Sequence, residues 1–140
     1  MLTEDKLRKM PASEYMNKEQ LEFFEHRLLE LQTETEKHIE VVRQQLAQYE
    51  FEPDDNDRAS LEEERATMLR IIERETKLLP KILYSLKQIK DGTYGYCEET
   101  GEPIGIERLL LRPTATLSTE AKSLSEAKER HYSDLDREGG

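Results

Sequence analysis

The sequence has no tryptophan, one cysteine and three histidines among 140 residues, and aromatics make up only 6%. Each scarcity removes a class of protein. A single cysteine, Cys97, forms no internal disulfide and fits a reducing compartment. Apolar residues reach 35%, where a compact domain carries nearer half, so the chain cannot wrap all of its length around one core. No apolar run approaches the roughly 18 residues of a membrane span, and the opening MLTEDKLRKM lacks an apolar signal core, so a cytoplasmic, membrane-free protein is expected. Positive charge is short as well. Lys and Arg number 21 against 31 Asp and Glu, giving a net charge of −10 and arguing against a DNA-binding surface. No Ser-His-Asp grouping, Gly-rich phosphate loop or Cys-His pair stands out, and the chain is not expected to be an enzyme.

What is present is helix. After a polar lead-in (1–16) expected to pack on or near the globular part, Asn17 can cap a helix, with Gln20 placed to bond back and Met16 and Leu21 placed as a hydrophobic staple. An apolar seam then runs Leu21, Phe24, Leu28, Leu31, Thr35, His38, Val42, Gln45, Tyr49, in the alternating three-and-four rhythm of a coiled coil, flanked by Ile39 and Leu46. The helix is expected to end near Tyr49. Pro53 and a run of Asp and Asn favour a turn, and Ser60 with Glu63 offers a capping box for the next helix. A second seam follows: Leu61, Arg65, Met68, Ile72, Glu75, Leu79, Ile82, Leu86, Ile89. Gly92 is a natural left-handed stop. Pro80 lies inside this helix and predicts a kink or local unwinding over 76–80. The pattern predicts an antiparallel helical hairpin over 17–91 with its turn at 53–60.

Residues 92–131 change character. Glycines, prolines and short apolar bursts predict a non-helical knuckle with Tyr94, Tyr96, Ile104, Ile106, Leu109, Leu111 and Leu117 as its core. A last helix follows over roughly 119–131, then a flexible tail (132–140).

Three features bear on chemistry. Residues 50–57 hold Glu50, Glu52, Asp54, Asp55 and Asp57 with no base, at the far end of a stiff arm. Such carboxylates can perturb a metal ion or pair with cations in a partner's cleft. The plainer explanation is that Asp and Asn make good turns. The spacing does not match an EF-hand loop. Second, Arg70, Arg74, Lys77 and Lys81 share one helix face and reverse the local sign of charge. That stripe suits a phosphate-rich ligand or an acidic partner, or is an ordinary solvated face. Third, the knuckle reads as a four-ligand zinc site that has lost its ligands. Cys97 is followed by Thr100 where a second thiol would complete C-x-x-C, and Ser118 and Ala121 repeat the gap without thiols. No metal is expected. Cys97 itself is expected to be buried and inert, since Glu98 and Glu99 disfavour a thiolate.

The segment YGYCEETGEPIGIERLLLRPTATLSTEAKSL, the tip Asp54-x-x-Asp57-x-Ala59 and the EYMN of residues 14–17 together resemble the DksA/TraR transcription factors, in their long form, over about residues 14–131. The resemblance implies a mainly α fold: a long antiparallel coiled-coil hairpin, a small zinc-finger-like globular domain lacking zinc, and a C-terminal helix. It implies a monomer that binds RNA polymerase through its secondary channel and places Asp54, Asp57 and Ala59 near the active centre, without touching nucleic acid. The alarmone ppGpp is implied as co-regulator, at an interface formed by Arg74, Leu78, Lys81, Arg112 and Lys122. Only Cys97 of the four zinc-ligand positions is kept, as in zinc-independent variants of the family. Two other classes remain as alternatives: a Gre-like accessory factor for transcript cleavage, and a plain coiled-coil adaptor.

Overall fold

The structure, a computed structural model, describes residues 2–51 and 58–118, with the side chains of residues 50, 51, 58 and 59 outside that description. Residues 53–57 of the expected turn, the last helix and the tail therefore lie outside the described residues, whereas 58–60 are already helical. Helix α1 (Glu4–Lys9) starts where the Thr3 hydroxyl accepts from the Lys6 amide at 3.3 Å. A single 3-10 turn, Ala12–Glu14, leads to α2 (Lys18–Phe51).

The cap of α2 differs from expectation in one bond. Asn17 accepts from the Gln20 amide at 2.9 Å, but Gln20 reaches back to the Met16 amide, at 2.8 Å. The Asn17 amide is already taken by the Glu14 carbonyl at 3.0 Å. Met16 adopts φ of 56°, unusual for a side-chain-bearing residue, and the Gln20 bond helps to hold it there.

Helix α3 (Arg58–Asp91) packs antiparallel on α2. The Tyr49 hydroxyl donates to Glu64 near the tip, and His38 faces Glu75 at 3.6 Å in mid-arm. Each helix has 34 residues, so at about 1.5 Å per residue the arm is about 50 Å long. The seam of α2 departs from a strict heptad. Ile39 is buried and Leu46 half-buried, whereas His38 and Gln45 are exposed. Two successive steps of four (Leu31, Thr35, Ile39) shift the stripe, because 3.6 residues per turn drifts against 3.5. On α3 Arg65 is likewise exposed rather than in the seam. The helix is already formed at Arg58, so Ser60 is an interior residue and not a cap. It also continues through Pro80 without unwinding. Pro80 and Thr76, whose carbonyl loses its donor, are both exposed, and water can satisfy that carbonyl.

Helix α3 ends in a Schellman motif. Thr93 N–H bonds the Gln88 carbonyl at 2.9 Å and Gly92 N–H that of Ile89 at 3.3 Å, with Gly92 at φ of 81°. The knuckle then folds tightly. Cys97 N–H reaches Glu102 O at 2.7 Å, Gly101 N–H reaches Cys97 O at 2.8 Å, and Ile104 N–H reaches Gly95 O at 2.8 Å. The knuckle is not purely non-helical, because Ile106–Leu111 form a short helix, α4. Of its expected core residues Tyr94 and Leu109 are fully buried, but Tyr96 lies at the surface and Leu111 is 84% exposed.

The apolar core is gathered at the base of the arm. Phe24, Leu28, Ile82, Tyr94 and Leu109 are sealed from solvent, and α1 adds Leu7. Tyr15 ties this junction with one oxygen, donating to Gly95 O at 2.5 Å and accepting from Gly105 N–H at 2.9 Å. The Tyr94 hydroxyl donates to Pro113 O at 2.7 Å, and burial drives that phenol well above its ordinary range. Tyr15→Phe leaves the Gly105 N–H unpaired and removes one of the two donors to Gly95 O, which keeps its bond from Ile104. We expect it to lower unfolding stability by about 1–3 kcal/mol, read as a lower denaturant midpoint at unchanged slope; an unmoved midpoint would show that the junction does not use this hydroxyl.

Candidate functional site

The arm sets where its charged groups stand. Arg70, Arg74, Lys77 and Lys81 do share the outer face of α3, all exposed. Lys77 pairs with Glu73 at 2.9 Å, and Arg74 lies 3.6 Å from Glu75. Lys81, the lowest of the four, opens onto a cleft of about 480 Å³ between α3 and the knuckle. Arg112, at the end of α4, lines the same cleft, so the fold brings together two of the residues the resemblance grouped. Leu78 is half-buried against the core, Arg74 stands further up the arm, and Lys122 lies outside the described residues. Asp54 and Asp57 also lie outside the description. Ala59 is in the first turn of α3.

Sequence reasoning did not place Arg108, Tyr84 or Glu98 at this cleft. Arg108 donates its Nε–H to Leu117 O at 3.0 Å, which fixes its guanidinium at the cleft. Tyr84 donates its hydroxyl to Glu98, which also accepts from Gln88 Nε2 at 3.2 Å. The bond to Glu98 raises the Tyr84 phenol above its ordinary value. The available signal was spacing: Tyr84 falls three residues after Lys81, on the same helix face.

The degenerate zinc positions also converge. Cys97 is buried, and Thr100 and Ser118 meet its sulfur. The Thr100 hydroxyl bond is the main reason the thiol is lowered to about 6; burial pushes the other way, and the Ser118 and Thr100 amides and the Ser118 hydroxyl add to the lowering. The sequence expectation of an undepressed thiol is thereby corrected. The Glu98 carboxylate is turned to Tyr84 and Gln88. Ala121 lies outside the described residues.

A helical hairpin on a C-x-x-C-like knuckle defines a recognisable class, and comparisons with known proteins specify it. Residues 20–89 match the family described as DnaK suppressor protein DksA, N-terminal domain. Residues 92–127 match the prokaryotic dksA/traR C4-type zinc finger. The chain belongs to the DksA/TraR family. It is 46% identical over 121 residues to the RNA polymerase-binding transcription factor DksA of Caulobacter vibrioides (strain NA1000 / CB15N), covering 86% of this chain and 85% of that protein. It is 42% identical over 125 residues to the protein of that name from Escherichia coli (strain K12), covering 86% and 80%. The solved structure of transcription factor DksA2 from Pseudomonas aeruginosa matches with a TM-score of 0.81 and 47% identity, over 92% of this chain and all of that one.

The family's C4 knuckle implies zinc, and the residues here do not fit it. One thiol and two hydroxyls are a poor donor set, and the described residues hold no group of three metal-ligating side chains. Among the described residues no helix is long and apolar enough to cross a membrane.

The lowered thiol makes a pH prediction. An acid whose folded value lies below its unfolded one, here about 6 against roughly 8.5, adds stability above the unfolded value and loses it as pH falls through the folded value. The stability of the protein relative to Cys97→Ala is therefore expected to rise between about pH 6 and 8.5 and level off above, followed by denaturation under reducing conditions. A flat difference would mean that folding does not lower the thiol.

Proposed function

We propose that this chain is a non-enzymatic transcription regulator that binds RNA polymerase through its secondary channel and acts there through its arm tip. The observation that carries this reading is an arm of about 50 Å made of two helices, Lys18–Phe51 and Arg58–Asp91, between whose ends the sequence runs through five acids (50–57), in a chain 42–46% identical to proteins named as RNA polymerase-binding. A rod of two helices enters a narrow channel that a globular domain cannot. Asp54, Asp57 and Ala59 are then the residues delivered near the active centre, where carboxylates act on a bound metal ion or on nearby cations and so alter promoter-complex stability. Specificity for promoters comes from the polymerase complex, because a chain of net charge −10 is poorly suited to read DNA directly.

In this reading the cleft at Lys81 and Arg112 takes the phosphates of ppGpp at the polymerase interface, with Leu78 and Lys122 adjoining and Arg74 contacting the ligand or polymerase from higher on the stripe. The protein works as a cytoplasmic monomer. Its knuckle is zinc-independent, held by the hydrogen bonds and apolar packing that surround Cys97.

Two outcomes are expected. Asp54→Asn combined with Asp57→Asn abolishes promoter regulation in a purified transcription system while polymerase affinity changes by only about twofold, the ordinary size of a surface effect. Normal regulation by that variant would remove the tip from the mechanism, and stimulated cleavage of backtracked RNA by the unaltered chain would favour a Gre-like role. Zinc content in purified protein is expected near zero per chain; one tightly held zinc per chain would refute the metal-free knuckle.

A further inference from the structure

The cleft holds an aromatic side chain that the proposed phosphate contacts do not use. Tyr84 is 47% exposed and lines the same cleft as Lys81, three residues before it, and Arg112. Its hydroxyl is committed to Glu98, and Glu98 is itself anchored, its amide donating to Thr116 O at 2.9 Å and its carboxylate accepting from Gln88. The ring is thus pinned at its polar end while its surface stays open to the cleft. Among the described residues Glu98 is the one carboxylate lining the cleft, and two donors already engage it, so the described lining, with Lys81, Arg108 and Arg112, is cationic.

A simple anion needs the cations and has no use for an open aromatic surface. A nucleotide uses both, because every base has a flat π-face that stacks on an aromatic ring while its phosphates pair with Lys and Arg. The volume of about 480 Å³ lies within the ordinary range of small-molecule sites, about 300–1,000 Å³.

We propose that Tyr84, held by Glu98, is the base-stacking platform of this cleft, so that a bound nucleotide lays its base on the Tyr84 ring while Lys81 and Arg112 hold its phosphates. This inference rests on the nucleotide site proposed above and adds a specificity-determining residue to it.

The test is a ppGpp titration of promoter output in the purified polymerase system, with each full-length variant present at a concentration saturating for polymerase. Tyr84→Leu is expected to raise the half-effective ppGpp concentration about tenfold, within the range a stacked base contributes. Tyr84→Phe, which keeps the ring face and loses only the bond to Glu98, is expected to recover most of that loss. Equal defects in Tyr84→Leu and Tyr84→Phe would show that only the hydroxyl bond matters and would overturn the platform. An unmoved response in Tyr84→Leu alongside a weakened one in Lys81→Ala would overturn the platform and leave the phosphate site standing. An unmoved response in both variants would overturn the site and the platform together.

Discussion

The junction at the foot of the arm is the constraint on which the rest depends. A hairpin of two amphipathic helices is useful as a probe only if its base is clamped. Here the clamp is a small apolar core in which Phe24 and Leu28 from α2, Ile82 from α3, and Tyr94 and Leu109 from the knuckle meet, with Leu7 closing it from α1. Phe24 and Tyr94 stand 5.6 Å apart, Phe23 packs edge-on against Phe24 at 5.3 Å, and the Arg27 guanidinium lies 5.1 Å from the Phe23 ring centre. Burying each such side chain contributes about 1.5–3 kcal/mol, which explains how a chain with few apolar residues holds one end firmly and leaves the other thin.

A structural zinc normally supplies such a knuckle with much of its folding energy. In this chain the corresponding positions hold one sulfur met by hydroxyl and amide donors, and the surrounding loops are closed by backbone bonds from Cys97, Gly101 and Ile104 and by the shared oxygen of Tyr15. The same knuckle positions Glu98, which pins Tyr84, and leads to α4 and Arg112. Packing at the junction and chemistry in the cleft are therefore one piece of structure, and a change that loosened the knuckle would disturb the cleft before it disturbed the arm.

Much of this was legible in the sequence, because periodicity and caps are local. The Gly92 stop, the Asn17 cap and most of the two seams are visible as spacing and residue type. The misreadings share a cause, which is that tertiary context outweighs a local rule. A heptad frame placed His38 and Gln45 inward, but the drift of a straight helix buries Ile39 instead. Ser60 looks like a cap only if the helix starts there, and Pro80 breaks a helix only if the freed carbonyl cannot reach water. Leu111 was taken for core, yet the register of the six-residue α4 buries Leu109 and turns Leu111 outward. Glu98 and Glu99 suggested an undepressed thiol because neighbours in sequence were weighed in place of neighbours in space. Tyr84 was missed for the same reason: its partner Glu98 is 14 residues away along the chain.

The claim that the knuckle is held by packing and hydrogen bonds is tested most directly by amide hydrogen exchange at Cys97, Gly101 and Ile104 in the intact protein, with and without a strong zinc chelator. Strong protection at all three, unchanged by the chelator, is the predicted result. Exchange at the rate of an unstructured peptide, or protection that disappears when the chelator is added, would contradict it.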